Sequence, residues 1–339
     1  MTNPRLNIGI IGAGRIGKVH AETIAFRVPE ARAAAITDLN RTAAENVASR
    51  CGIATVSDSV DQILGDPSID AVLICSSTNT HADLTIRAAE AGKHIFCEKP
   101  IDHDLARIDA ALDAVAKAGV KLQIGFNRRF DPNFARVRAA VESGEIGSPR
   151  LLHIISRDPA PPPVSYVKVS GGMFLDMTIH DFDMARFLIG DEVEEIYTAG
   201  GVMVDPAIGE AGDLDTALIV LKFRSGVIGT IDNCRQAAYG YDQRAEILGS
   251  LGKIGTENCY PNEATISTGQ AICRDLPFNF FMDRYTESFS REVRSFVQAV
   301  VEDKPTPVTG VDGRIPVVMG LAARKSFDEH RPVRLDEFD

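Results

Sequence analysis

From Leu6 to about Phe126, short β-branched runs alternate with longer runs of helical period. LNIGIIG, ARAAAITD, a short IATV, IDAVLICS, HIFCEK and KLQIGF predict strands, and helices are expected near residues 15–27, 40–51, 58–65, 80–91 and 102–118. Strands that are apolar along their whole length are covered on both faces, and helical connections imply parallel neighbours. This half is α/β, a doubly wound parallel sheet with right-handed crossovers.

After about residue 149 the rhythm changes. LLHIISRD, VEEIYTAGGVMV, TALIVLKF, VIGTIDNC and AEILGS read as strands, the third and fourth joined at Arg224-Ser225-Gly226. Short glycine-containing turns between such strands predict a C-terminal α+β domain with a large, mainly antiparallel open sheet. ESFSREVRSFVQAVVED and DGRIPVVMGLAARKSFDEH are expected to be helices, and the four prolines of residues 158–164 forbid regular structure there. The expected division is 1–126 and 127–339, with the C-terminal helix a candidate to pack back on the first domain.

One segment breaks the ordinary pattern. GGMFLDMTIHDFDMARFL, residues 171–188, is almost entirely apolar around Asp176, His180 and Asp183. Read as one helix, it places those three groups and Phe187 on a single stripe. A helix apolar nearly all round is a buried one, and burying carboxylates and an imidazole is costly unless they are paired or used. Gly171 and Gly172 permit the close approach of another group.

Composition narrows the function classes. A chain of 339 residues suggests about two domains, and 45% hydrophobic with 24% charged residues is ordinary globular protein. The net charge of −11 leaves no basic field for phosphate backbones or anionic lipid. Partners are expected to be small molecules or copies of the chain, with no nucleic acid and no membrane. The six cysteines lack metal-type spacing and read as reduced core thiols. MTNPRLNIGIIGAG has no basic stretch followed by a long apolar core, so a cytoplasmic enzyme is expected.

Gly12-Ala13-Gly14-Arg15-Ile16-Gly17 is a GxGxxG between a strand and a helix. The glycines allow a tight turn and close backbone approach to a pyrophosphate, and the helix N-terminus supplies N–H groups and positive dipole. Asp38 ends the second strand, where a carboxylate can accept from the ribose hydroxyls and repel a 2′-phosphate. Together these predict a Rossmann domain that takes NAD. The segment Cys75-Ser76-Ser77-Thr78-Asn79-Thr80-His81 follows the fourth strand. Ser76, Thr78 and Asn79 are candidate cofactor contacts, one hydroxyl is expected to cap the following helix, and His81 is counted with the segment although its ring reads as structural. Glu98-Lys99-Pro100 ends the fifth strand at the ligand edge of such a sheet. Lys99 is either a solvated charge or a group facing substrate. If the second domain folds over that crevice, Asp176 and His180 could meet Lys99; otherwise they are a satisfied core pair. His180 with carboxylates alone is a poor zinc set, and no metal is expected.

IGAGRIG, CEKP at 97–100 and DMTIHD at 176–181 together resemble the glucose-fructose oxidoreductase and inositol dehydrogenase family. The resemblance covers essentially the whole chain. FNRRFD, SRDPAPPP, GDLDTALIVLKF, YGYDQRAEILGS and PVTGVDGR bring it closest to the branch that oxidises inositols. It implies Lys99, Asp176 and His180 as the catalytic set and Glu98 beside the cofactor. Asn127, Arg128, Asp158, Tyr239 and Tyr241 are implied for the polyol site, and a homotetramer through the open sheet face for assembly. Ser76-Ser77-Thr78 departs from the family, where many relatives carry a proline in the middle. The implied reaction is NAD-dependent oxidation of myo-inositol at C2 to 2-keto-myo-inositol, with His180 as general base. Its rivals are another inositol isomer or a sugar as substrate, and an NAD-binding sensor without turnover.

Overall fold

The structure, a computed structural model, describes residues 5–338 and divides into two compact units. The first comprises the described residues up to Phe130 together with Glu287–Val317, and the second Asp131–Thr286 with Val318 onward.

In the first unit the chain runs β1 (Leu6–Ile11), α1 (Arg15–Arg27), β2 (Ala31–Thr37), α2 (Arg41–Cys51), β3 (Thr55–Val56), α3 (Val60–Gly65), β4 (Ala71–Ile74), α4 (His81–Glu90), β5 (His94–Glu98), α5 (Leu105–Ala118) and β6 (Leu122–Gly125). The six strands form one parallel sheet in the order β3-β2-β1-β4-β5-β6. Every residue of β4 and β6 is buried, because helices cover both faces of a sheet built by helical crossovers. The register aligns the strand ends: Ile11 lies opposite Thr37 and Ile74, Ile74 opposite Cys97, and Glu98 opposite Gly125. The residues that follow each strand therefore emerge along one edge, around the reversal of strand order between β1 and β4.

In the second unit come α6 (Pro132–Glu142), β7 (Pro149–Arg157), α7 (Val164–Val167), α8 (Gly172–Asp176), α9 (Ile179–Ile189), β8 (Val193–Gly201), α10 (Pro206–Glu210), β9 (Thr216–Phe223), β10 (Ile228–Cys234), β11 (Asp242–Gly249), β12 (Lys253–Thr256), the hairpin β13 (Thr265–Ser267) and β14 (Ile272–Arg274), and α11 (Phe281–Arg284). Two long helices follow: α12 (Thr286–Val301), which packs Val293, Phe296 and Val297 into the first unit's core, and α13 (Gly310–Glu329), whose residues are shared between the units. β15 (Val333–Arg334) completes a seven-stranded sheet, β12-β11-β7-β10-β9-β8-β15. All its pairs are antiparallel except β7 with β10. β9 and β10 alternate buried with exposed positions, and Leu151, Tyr197, Leu218, Ile228 and Leu248 are among its exposed large apolar residues.

The fold class is thus the expected one, a Rossmann sheet followed by an α+β unit, but two local expectations change. Residues 171–188 are two helices, not one. Thr178 N–H reaches back five residues to Met173 O, while His180 and Asp181 reach back only three, to Met177 and Thr178. The cysteines also divide: Cys75 and Cys97 are buried, but Cys273 is exposed on β14. Burial pushes the Cys97 thiol up to about 12. Among the described residues no helix is long and apolar enough to cross a membrane.

Candidate active site

In the first unit the glycine loop is shaped by what its side chains would strike. Gly12 has φ +105°, and a Cβ there would lie 2.6 Å from the Cys75 carbonyl carbon and oxygen. A Cβ on Gly17 would run into the carbonyl of Gly12. Gly14 has open space around it and starts α1 without a side-chain cap. The helix N-terminus thus has no side-chain cap, with Arg15 exposed and Ile16 half-buried in its first turn. Ala13 N–H donates to Asp38 Oδ2 at 2.6 Å and Asn40 N–H to Oδ1 at 2.7 Å. An ionised carboxylate has about four acceptor sites, so Asp38 retains capacity for hydroxyl donors. Arg41 is held by Glu45 at 2.9 Å and by Asp58.

At the other strand ends, Ser76 Oγ pairs with Thr80 Oγ1 at 2.7 Å, and Thr80 Oγ1 donates to Ser77 O. The expected hydroxyl cap is therefore not made: Thr80 begins α4 with its oxygen turned the other way. Thr78 is half-buried and Asn79 exposed on the same turn. His81 is buried, its ring nitrogens against Pro100 O at 2.8 Å and Ser76 O at 3.0 Å, so it ties the ends of β4 and β5 together. Glu98 is buried against His20 Nε2 at 2.6 Å and against Gly125. Lys99 follows, half-buried, with a cis bond to Pro100. Asn127 and Arg128 lie buried on the turn after β6.

In the second unit, Asp176 is the last residue of α8 and His180 the second of α9, both half-buried. The two helices bury nearly everything else, Asp181 and Asp183 included. The break between them is fixed from β10: Thr178 Oγ1 donates to Asn233 Oδ1 at 2.6 Å, and Asn233 Nδ2 donates to Asp181 Oδ2 at 2.9 Å. Within this unit Asp213 comes close to Gly172: its carboxylate accepts Met173 N–H at 2.9 Å, where a Cβ on Gly172 would collide. Tyr166 OH donates to Asp176 Oδ1 at 2.9 Å, and Arg235 Nη1 to Oδ2 at 3.2 Å. Asp158 extends β7 alongside, its N–H on Cys234 O. Tyr239 OH donates to Asp242 Oδ2 at 2.5 Å and accepts from Arg157 Nη1. Burial and Asp242 raise the Tyr239 phenol above its ordinary range. Tyr241 is buried edge-on against Tyr285.

Tyr166 and Arg235 are absent from the residues singled out by sequence. Their signals were weak: one follows the proline loop, and the other lies two residues beyond Asn233 on the face that meets α8 and α9. Among the described residues no group of three or more His, Cys, Asp or Glu is arranged to hold a metal.

Comparisons with known proteins agree with this anatomy. Residues 6–126 match an oxidoreductase family with an NAD-binding Rossmann fold, and residues 134–255 the GFO/IDH/MocA C-terminal domain. The chain is 47% identical to the myo-inositol 2-dehydrogenase of Thermotoga maritima, over 98% of this chain and 99% of that one. It is 46% identical to the inositol 2-dehydrogenase of Rhizobium meliloti, over 97% and 99%. A scyllo-inositol dehydrogenase from Lactobacillus casei, solved with NAD(H) and scyllo-inositol bound, superposes with a TM-score of 0.92 at 30% identity, covering 98% of this chain and 100% of that one. A glycine loop with its acid, EKP at the end of β5 and D-x-x-x-H across a helix break thus occur in a chain that belongs, over nearly its full length, to the GFO/IDH/MocA oxidoreductase family.

Proposed function

We propose that this chain is an NAD-dependent inositol dehydrogenase that oxidises myo-inositol at C2 to 2-keto-myo-inositol. The observation that carries the reading is the placement of Asp176 and His180: both stay half-buried at a helix break whose neighbours are almost all buried. The substrate class comes from the relatives that share this chain end to end.

NAD fits the first unit, because Gly14 leaves open space beside the backbone, α1 starts without a side-chain cap and Asp38 can accept from ribose hydroxyls. When bound, it accepts the hydride that leaves the carbinol carbon with its electron pair. The protein's own task is the proton and the placement. His180 takes the hydroxyl proton as the carbonyl forms, a role suited to an imidazole near neutrality. Asp176 stabilises the resulting imidazolium or holds a neighbouring hydroxyl. Lys99 donates to the reacting oxygen as alkoxide character develops. Asn127, Arg128, Asp158 and Tyr239 are the further candidates for holding the ring, and assembly into a tetramer through the open sheet face belongs to the same reading.

The scyllo isomer bound by the L. casei relative makes stereochemistry the rival. NADH formation followed over a panel of inositols, hexoses and pentoses tests the reading. The highest kcat/KM is expected with myo-inositol, and a faster reaction with scyllo-inositol or a hexose overturns the choice of myo-inositol as substrate while leaving the dehydrogenase. No turnover with any polyol overturns both.

A further inference from the structure

Asn233 and the residue two places on, Arg235, act on opposite sides of the break at Met177–Thr178. Asn233 holds the start of α9 through Thr178 and Asp181, and Arg235 holds the end of α8 through Asp176. Arg235 is 2% exposed. Its Nη1 lies 3.2 Å from Asp176 Oδ2 and 4.0 Å from Asp158 Oδ2, while Nε and Nη2 are buried with no hydrogen-bond partner among the described residues. A guanidinium cannot shed its proton, so unmet donors on it carry the full desolvation penalty. Stability is a weak reason to keep such a group, since apolar replacements of buried ion pairs are often neutral or better. What Arg235 does accomplish is geometric. With Tyr166 on Oδ1 and Arg235 on Oδ2, both oxygens of Asp176 are engaged, which favours one orientation of the carboxylate.

We propose that Arg235 is a positioning residue of the dehydrogenase site, acting through Asp176 by fixing the orientation of its carboxylate. This rests on the inositol dehydrogenase reading above. Its test is a double-mutant cycle on the full-length enzyme with myo-inositol and NAD+: parent, Arg235→Met, Asp176→Asn and the double variant, with Arg235→Lys beside them. For each, kcat, KM, the NAD+ Kd and Tm are measured. Misplacing a reacting group by about an ångström costs on the order of 10²-fold, so Arg235→Met should lose about that much kcat while the NAD+ Kd stays within about twofold. Arg235→Lys, which keeps the charge and N–H donors but not the planar fork, should regain at least about tenfold. In the Asp176→Asn background, Arg235→Met should add less than about threefold, because the group it acts through is already disabled.

A kcat within about threefold of parent in Arg235→Met, no recovery in the lysine variant, or equal losses in both backgrounds overturns the role. Should Arg235→Met not fold, Arg235→Lys runs the same cycle, and Tyr166→Phe, at an exposed residue, removes the other pin. Tyr166→Phe should then lower kcat several-fold at unchanged Tm, and an unchanged kcat counts against the proposal. A parent inactive with every inositol, or undiminished by Asp176→Asn, defeats the functional reading and Arg235's role with it. An enzyme disabled by Asp176→Asn but indifferent to Arg235→Met defeats the Arg235 role alone.

Discussion

Ala13 N–H donates to Asp38 Oδ2 at 2.6 Å, so the acid that follows β2 and the glycine loop after β1 form one hydrogen-bonded piece. A phosphate on the ribose 2′-oxygen would meet a carboxylate that the loop holds in place. The nearby cation that could welcome it, Arg41, is already engaged by Glu45 and Asp58. We predict at least a tenfold preference for NAD+ over NADP+ in kcat/KM, roughly 1.4 kcal/mol or more. Asp38→Ser should narrow it. Steady-state kinetics with both cofactors check this, and parity in the parent removes the role given to Asp38.

Lys99→Met keeps the apolar stem and removes the charge. Expected is a large loss of kcat with NAD+ affinity, read by fluorescence titration, largely retained. Normal turnover in that variant returns Lys99 to the status of a solvated charge.

Two glycines of the loop should behave oppositely. Gly12→Ala faces both a φ of +105° and the Cys75 carbonyl at 2.6 Å, and strain of that kind costs about 1–3 kcal/mol. A lower Tm and weakened NAD+ binding should appear together. Gly14→Ala meets nothing within 4 Å, so its stability should stay within about 0.5 kcal/mol of parent. Similar Tm losses in the two variants would contradict the loop geometry.

Acid stability should report on Asp242. Burial pushes its carboxyl up, but Arg244, Tyr239 and Asn258 outweigh that and hold it below the ordinary range. A carboxyl depressed in the folded state contributes stability above its unfolded pKa, near 3.9, and loses it as pH falls through the folded value. Asp242→Asn should therefore melt below parent at pH 7, and the gap should close as pH drops below about 4. Tm measured from neutral to acid pH on both proteins checks the sign; a gap that widens toward acid is incompatible with it.

Much of this was legible because it is local. The first six strands and their helices follow from runs of apolar residues and periods read over a dozen positions, and the parallel register then delivers Gly12, Asp38, Ser76 and Lys99 to one edge. What escaped depends on distant partners. The helix break at Thr178 is held by Asn233, 55 residues away, and nothing in the spacing of Asp176 and His180 signals it. The group that comes close to Gly172, Asp213, is fixed by its hydrogen bond to Met173 N–H from 40 residues farther along the chain, and the glycines alone do not name it. Arg235 was invisible because a buried arginine and a solvated one have the same sequence signature. It is buried, and the carboxylate it reaches, Asp176, lies 59 residues earlier.

That break also changes how the Asp176/His180 pair must be tested. Were the two residues stacked on one regular helix, either substitution would disturb the same face. Here Asp176 hangs from Tyr166 and Arg235, whereas the start of α9, which carries His180, is anchored separately through Thr178 and Asp181. If His180 is the base, it must be neutral to accept the proton, so kcat/KM for oxidation should rise with pH through an ionisation in the imidazole range, about 6.5 in unperturbed form. His180→Ala should lose about 10²- to 10⁴-fold in kcat and flatten that rise, with NAD+ binding and Tm near parent because the anchors at Thr178 and Asp181 remain. Asp176→Asn should lower kcat while keeping the rise, since the base is still present. A core pair kept only for packing predicts a different pattern: both variants lose Tm, and turnover per folded molecule hardly changes. Melting temperature and kcat normalised to folded enzyme, taken on the same samples, separate the two. A stable His180→Ala enzyme with near-parent kcat would exclude His180 as the base.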